Sequence, residues 1–286
     1  MKQTLATISS NVEVMPGIYL MWIEAPDIAV AAQPGQFITV RCGDFTLRRP
    51  FSIHQSSLLT GEDSGEGEIA LLFKVAGKGT LWLAQRQAGD RIDVLGPLGN
   101  GFTIAPESKN LLLVAGGIGV APLVFLMQQA SSRHQITLIH GASTAAQLCP
   151  DSCQLSAVSC QTVQFIHVTE DGSTGQKGKT TDVLPDFLDW ADQIYACGPV
   201  GMYKAMALTL NPSPLKGEGK TIVGEGLVPS HKLKLRKCQV SLEVRMGCGF
   251  GACYACTIDT KKGLKQVCRD GPVFELDDII WQEVKT

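Results

Sequence analysis

Four cysteines close to the C-terminus, Cys248, Cys253, Cys256 and Cys268, follow the spacing C-x4-C-x2-C-x11-C, and Gly247, Gly249 and Gly251 punctuate the first of these ligand positions. Three thiols crowded into one short loop, with a fourth standing apart, form the plant-type [2Fe–2S] pattern. Glycines between the ligands let the backbone wrap tightly and aim N–H groups at sulfur, which stabilises the added negative charge of a reduced cluster. The expected consequence is a one-electron carrier. A structural zinc site is the competing use of four cysteines, but zinc ribbons and knuckles show two similar C-x2-4-C pairs.

With 286 residues, 44% of them hydrophobic and 18% charged, the chain can bury a sizeable core and divide into two or three domains. A net charge of −2 gives no basic field for nucleic acid, and no Lys/Arg-rich block suggests a membrane surface. Met1 to Asn11 shows no apolar h-region, so the cytoplasm is the expected compartment. Leu111 to Ala130 is the longest uncharged stretch. Its interior turn, Gly116-Gly117-Ile118-Gly119, and the helix-starting Pro122 predict a buried strand and a helix rather than a membrane span. Ten cysteines without an export signal point to ligands and reduced thiols rather than disulfides. Cys149, Cys153 and Cys160 read as reduced thiols, and Cys42 and Cys238 as core. No two of the five histidines stand at i, i+4, so they read as structural.

The first hundred residues read as short strands: Gly17 to Ile23, Phe37 to Val40 and Ile69 to Val75, separated by turn-formers such as Pro34-Gly35. This rhythm predicts a small antiparallel barrel, interrupted by one helix over Thr80 to Arg86 behind Gly77-Lys78-Gly79. From Asn110 the pattern alternates. Leu111 to Val114, Ile136 to His140 and Gln193 to Cys197 predict strands, and Leu123 to Gln129 a helix, in a parallel nucleotide-binding α/β unit. The resulting domains are 1–104 (β-barrel), 105–210 (α/β), a Pro/Gly-rich insertion or linker over 211–231, and 232–286 (iron–sulfur segment).

Arg48-Arg49-Pro50-Phe51-Ser52-Ile53, Gly77-Lys78-Gly79-Thr80, Leu95-Gly96-Pro97-Leu98-Gly99-Asn100-Gly101-Phe102, the Gly116 turn and Cys197-Gly198-Pro199 together resemble the motifs of the ferredoxin–NADP reductase family. The match runs from about Gly35 to Met206. With the cluster loop and Val267-Cys268-Arg269-Asp270-Gly271-Pro272, the chain is similar to the electron-transfer subunits of the dihydroorotate dehydrogenase B family.

The resemblance implies FAD in the barrel, NAD in the α/β unit and the cluster on the four cysteines. It implies that Arg49 pairs with the FAD pyrophosphate, with Pro50 beside it, that Phe51 packs on the flavin, and that Ser52 hydrogen-bonds near flavin N5. Gly79 and Thr80 would cradle the same pyrophosphate. Gly116, Gly117 and Gly119 would let the dinucleotide approach the sheet, and Cys197, followed by Gly198 and Pro199, would lie beside the nicotinamide. Phe51 stands where relatives often carry tyrosine, and Ser143 where they often carry arginine. No residue set suited to a small organic substrate is visible, so the implied partner is an FMN-containing dihydroorotate dehydrogenase catalytic subunit, in a heterotetramer of two of each. The reductase subunit of a hydrogenase or a ferredoxin:NADP transhydrogenase is the alternative that keeps the first two domains. A zinc-stabilised scaffold is the non-enzymatic one.

Overall fold

The computed structural model describes residues 1–58, 67–150, 162–210, 220–223, 226–229 and 237–284. Cys153, Cys160 and most of the 211–231 insertion lie outside them.

The N-terminal unit is one antiparallel sheet. Its strands are β1 (Lys2–Met15), β2 (Ile18–Glu24), β3 (Phe37–Arg41), β4 (Arg49–Ser52), β5 (Gln55–Leu58), β6 (Gly67–Lys74) and β7 (Arg91–Leu98), with helices α1 (Pro26–Ala31) and α2 (Lys78–Ala84). The order is β4-β3-β7-β1-β2-β6-β5. The two outermost strands are consecutive in the chain: β4 pairs with β3, then Ile53 N–H bonds Gln36 O, His54 N–H bonds Ala70 O, and β5 pairs with β6. One segment, 49–58, thereby runs from one sheet edge to the other and curls the sheet into a half-barrel. Its interior holds Ile8, Met21, Ile23, Ile38, Val40, Ile53, Leu71 and Val94, all buried, each contributing about 1.5–3 kcal/mol of transfer free energy.

The long strand β1 is missing from the sequence reading. Its Thr, Ser and Asn residues break the apolar run, and only Ala6, Ile8 and Met15 are buried. Pairing on both sides, with β2 through the Pro16-Gly17 turn and with β7, holds it in place.

The second sheet comprises β8 (Asn110–Gly116), β9 (Gln135–Ala142), β10 (Val163–Thr169), β11 (Gln176–Lys177) and β12 (Gln193–Cys197), covered by α3 (Val120–Ala130), α4 (Thr180–Phe187) and α5 (Val200–Leu210). Leu111 to Ala115 are wholly buried, as a strand covered on both faces requires. Beyond the hairpin of β13 (Lys220–Val223) and β14 (Gly226–Pro229), the C-terminal segment adds two strands to this same sheet. β15 (Cys238–Ser241) pairs parallel with β12, and β18 (Val273–Glu275) caps β15 antiparallel. The cluster loop, the hairpin β16 (Thr257–Thr260) and β17 (Gly263–Gln266), and α6 (Val267–Asp270) lie between them. The segment from Cys238 onward therefore completes the α/β sheet, because the outer edge of β12 needs a hydrogen-bonded neighbour.

Hydrogen bonds lock the units together at Thr103. Gln239 accepts from its N–H (2.9 Å) and donates to its Oγ1 (2.7 Å), while Gln193 Nε2 (2.8 Å) and Tyr195 OH (3.1 Å) donate to its carbonyl. Among the described residues no helix is long and apolar enough to cross a membrane.

Among the described residues, strands β13 and β14 pair with each other and with no other strand. Deleting 212–229 and rejoining the ends with a short glycine linker is therefore expected to move the melting temperature by no more than about 3 °C, since closure entropy changes slowly with loop length. Differential scanning calorimetry of the two proteins checks it.

Candidate functional site

The cluster loop leaves β15 and folds back on itself through three left-handed residues, Gly249 (φ +82°), Gly251 (φ +91°) and Tyr254 (φ +59°). Backbone donors from these turns and from α6 reach all four sulfurs. Ala252 N–H bonds Cys248 Sγ at 3.2 Å, Cys248 N–H bonds Cys253 Sγ at 3.3 Å, Gly251 N–H bonds Cys268 Sγ at 3.1 Å, and Cys268 N–H bonds Cys256 Sγ at 3.4 Å. The sulfurs of Cys256 and Cys268 lie 3.2 Å apart and are buried, whereas Cys253 is exposed and Cys248 half-buried. Desolvation raises the Cys248 thiol, yet the N–H groups of Phe250, Cys253 and Ala252 outweigh it and bring it down to about 6. At Cys268, desolvation and the neighbouring Cys256 push the thiol up to about 12. A Cβ on Gly247 would stand 2.9 Å from Cys253 Sγ, so only glycine leaves that sulfur free to ligate. Four sulfurs, each with a backbone donor, fit an anionic iron–sulfur group.

The loop is fastened to the half-barrel. Gly249 lies against β3, where a Cβ would stand 2.7 Å from Thr39 Cγ2. Just past Cys268, the carbonyl of Gly271 accepts Asn100 N–H at 2.6 Å, and Asn100 Nδ2 donates to the carbonyls of Asp270 (3.0 Å) and Arg269 (3.3 Å). Gly99 (φ +73°) makes this possible, since a Cβ there would lie 2.6 Å from both Gly271 O and Pro272 Cδ.

Of the residues expected around a flavin, Arg49 and Gly79 meet: a Cβ on Gly79 would stand 2.9 Å from Arg49 Nε. The Arg49 guanidinium lies over Phe45 and donates to Leu47 O at 2.5 Å. The Thr80 hydroxyl is occupied by the cap of α2, accepting from Ala76 and Gly77 N–H and donating to Gly77 O. This cap leaves backbone and Arg49, rather than the hydroxyl, as the groups available to a phosphate. Pro50 pairs with Thr39, and Ser52 sits half-buried opposite Phe37. Phe51 is buried in the barrel core with its ring edge-on to Phe73 at 5.6 Å.

The parallel strands diverge from β8: β9 and β10 lie on one side, β12 and β15 on the other. Ligands in open α/β sheets bind at such a reversal, beyond the C-terminal strand ends. A cleft of about 760 Å³ opens there, lined by Gly116, Gly117, Gly141, Glu170, Pro199 and, from the barrel, Lys74. Gly117 is left-handed (φ +55°), and a Cβ on Gly119 would lie 2.1 Å from Cys197 O. Gly119, Cys197 and Gly198 thus form the packed floor behind the cleft. Desolvation, reinforced by Glu243, pushes the Cys197 thiol up to about 12. Tyr203 OH accepts Gly198 N–H and donates to Ser241 O. Glu170, Lys179 and Thr180 also line the cleft. The sequence reading missed them because a polar residue just past a strand end carries no local pattern that marks it as lining a cleft.

Two family models match the sequence: the iron–sulfur cluster binding domain of dihydroorotate dehydrogenase B over residues 243–280, and an oxidoreductase NAD-binding domain over residues 113–207. The dihydroorotate dehydrogenase B (NAD(+)) electron transfer subunit of Desulforamulus reducens is 38% identical over 281 residues, 94% of this chain and 95% of the relative. The chain belongs to this family of electron transfer subunits. The Geobacillus thermodenitrificans member is 34% identical over 283 residues, 96% of this chain and 97% of the relative. As an electron transfer subunit, the chain is an oxidoreductase component that works with a catalytic partner subunit. Among solved structures, that of an NADH-dependent reduced ferredoxin-NADP oxidoreductase has a TM-score of 0.77 at 28% identity, covering 98% of this chain and 91% of that one. A ferredoxin NADP+ reductase from Neisseria gonorrhoeae, with a TM-score of 0.56 at 21% identity over 71% of this chain and 88% of that one, shares the fold.

Gly119→Ala would force a methyl group into the Cys197 carbonyl. The expected outcome is a loss of at least about 2 kcal/mol in stability by overpacking, with weakened NADH binding, read by chemical denaturation and NADH titration.

Proposed function

We propose that this chain carries electrons from dihydroorotate oxidation, performed by an FMN-containing catalytic subunit, through a [2Fe–2S] cluster and FAD to NAD+, within cytoplasmic pyrimidine biosynthesis and in a heterotetramer of two of each subunit. The observation that carries this reading is the set of four sulfurs, three on a loop seated against the half-barrel and the fourth on α6, each accepting a backbone N–H. Cys248, Cys253, Cys256 and Cys268 are the ligands in this reading. FAD, when bound, supplies exchange of both a hydride and single electrons, which joins a nicotinamide to a one-electron centre.

The chain's own residues bind and orient. Arg49, lying against Gly79, is the charge for the FAD pyrophosphate, a group that a guanidinium recognises through paired hydrogen bonds. Pro50 and Phe51 shape the strand beneath the flavin, Ser52 offers a hydroxyl for N5, and backbone at Gly79 and Thr80 closes the phosphate end. Gly116 and Gly117 open the cleft to NAD, Gly119 and Gly198 keep its floor thin, and Pro199 forms a wall. Cys197, buried behind the cleft floor with its thiol pushed up to about 12, is the small uncharged residue that backs the nicotinamide end in this reading. Around the cluster loop, Phe250 and Tyr254 are 49% and 68% exposed. Aromatic residues are enriched at interface cores, so this face suits the catalytic subunit.

Two experiments test the reading. The isolated chain is expected to oxidise NADH with an artificial one-electron acceptor, yet to show no dihydroorotate-dependent NAD+ reduction until the FMN subunit is added. Cys253→Ala should abolish the [2Fe–2S] spectrum and the coupled reaction while sparing the flavin spectrum. Dihydroorotate oxidation by the FMN-free single chain would overturn the assignment, and coupling to ferredoxin instead would favour the transhydrogenase alternative. Separately, Arg49→Ala removes a charge-assisted contact worth about 1.5–3 kcal/mol. The FAD dissociation constant should rise about 10- to 150-fold, measured by flavin fluorescence on dilution.

A further inference from the structure

Thr39 stands in the middle of β3, in register with Pro50 on one side and Leu95 on the other. Alternation along β3 sends Ile38 and Val40 into the barrel interior and leaves Phe37 and Thr39 on the opposite face. Phe37 on that face packs in the same core as Cys256 and Cys268. What covers Thr39 is the cluster loop itself: its γ-methyl meets Gly249, the residue after Cys248.

The side chain is only 2% exposed, and among the described residues its Oγ1 has no hydrogen-bond partner. Its carbonyl, by contrast, is served by Arg48 Nη1. A buried hydroxyl left unpaired is destabilising, and native structures rarely leave one. A valine would fill the same space without that cost. The hydroxyl is therefore available to an acceptor of the loaded protein.

We propose that the Thr39 hydroxyl donates a hydrogen bond to the sulfur shell of the cluster, adding a side-chain donor from the barrel to the four backbone donors already at the sulfurs. This inference rests on the cluster reading above. A donor at sulfur favours the more negative, reduced state, so Thr39 raises the reduction potential of the cluster. Because β3 also carries β4, the strand proposed to lie under the flavin, the same side chain couples the cluster's potential to the seating of the loop on the flavin barrel.

The test is an EPR-monitored redox titration of the full-length holoprotein. Thr39→Val keeps the branched shape and deletes the donor, and Thr39→Ser keeps the donor. The midpoint potential of the valine protein is expected to shift negative and that of the serine protein to stay with the parent, at unchanged iron, acid-labile sulfide and FAD content. An unshifted valine protein overturns the proposal. If the valine protein fails to hold its cluster, Thr39→Ala against Thr39→Ser makes the same comparison, and a shared midpoint overturns it equally. A parent protein without a [2Fe–2S] spectrum would instead sink the cluster reading on which the proposal stands.

Discussion

The contact on which the whole arrangement depends is the one between Asn100 and the stretch that follows Cys268. A chain that passes electrons between separate centres must keep them at a fixed separation, and covalent continuity alone does not do so when nearly the whole α/β unit intervenes in sequence. Here Asn100, at the end of the barrel, spends its amide and its side chain on the carbonyls of Arg269, Asp270 and Gly271. Gly99 removes the Cβ that would otherwise hold the two backbones apart. The buried fourth sulfur is thereby set by the barrel as much as by its own helix, α6. Thr103, clamped by Gln193, Tyr195 and Gln239, fixes the next few residues to the parallel sheet, so barrel, cluster loop and nucleotide cleft share one frame.

Within that frame each region uses a different resource. The cluster loop relies on backbone: left-handed residues turn N–H groups toward sulfur, and the side chains between ligands are small or point outward. The nucleotide cleft relies on missing atoms, since glycines let two strand-to-helix turns pack with almost no gap. The flavin region relies on one charge, Arg49, placed against a glycine so that nothing stands between the guanidinium and the neighbouring backbone.

Much of the fold is legible in the residues because apolar runs and turn-formers are local signals. Strands β2, β3, β6, β8, β9 and β12 and helix α3 lie within a few residues of where periodicity predicts them. Strand β1 escapes because its identity comes from being paired on both sides rather than from its composition. Strands β15 and β18, four and three residues long, carry too little pattern to announce that they extend a sheet begun more than a hundred residues earlier. The site divides in the same way. Four cysteines at fixed spacing can be read directly, as can a glycine-rich turn after an apolar strand. Thr39, Asn100 and Glu170 look like ordinary polar residues in sequence, and only long-range packing brings them to the cluster loop or the cleft. Thr80 shows the reverse: a hydroxyl with an apparent ligand role is committed to capping its own helix.

The way the second sheet is completed also bears on how the chain is made. Strand β12 leaves the ribosome well before β15 and β18, and until they arrive one edge of an apolar parallel sheet has no neighbour. Open edges of this kind recruit other chains. The last fifty residues are thus the sheet's closing strip as well as the cluster's seat, and the nascent protein stays sticky until the cysteine-bearing segment has emerged. The strip that covers the nucleotide domain's edge is therefore the same strip that holds the four cysteines, so a change that unseats the one exposes the other.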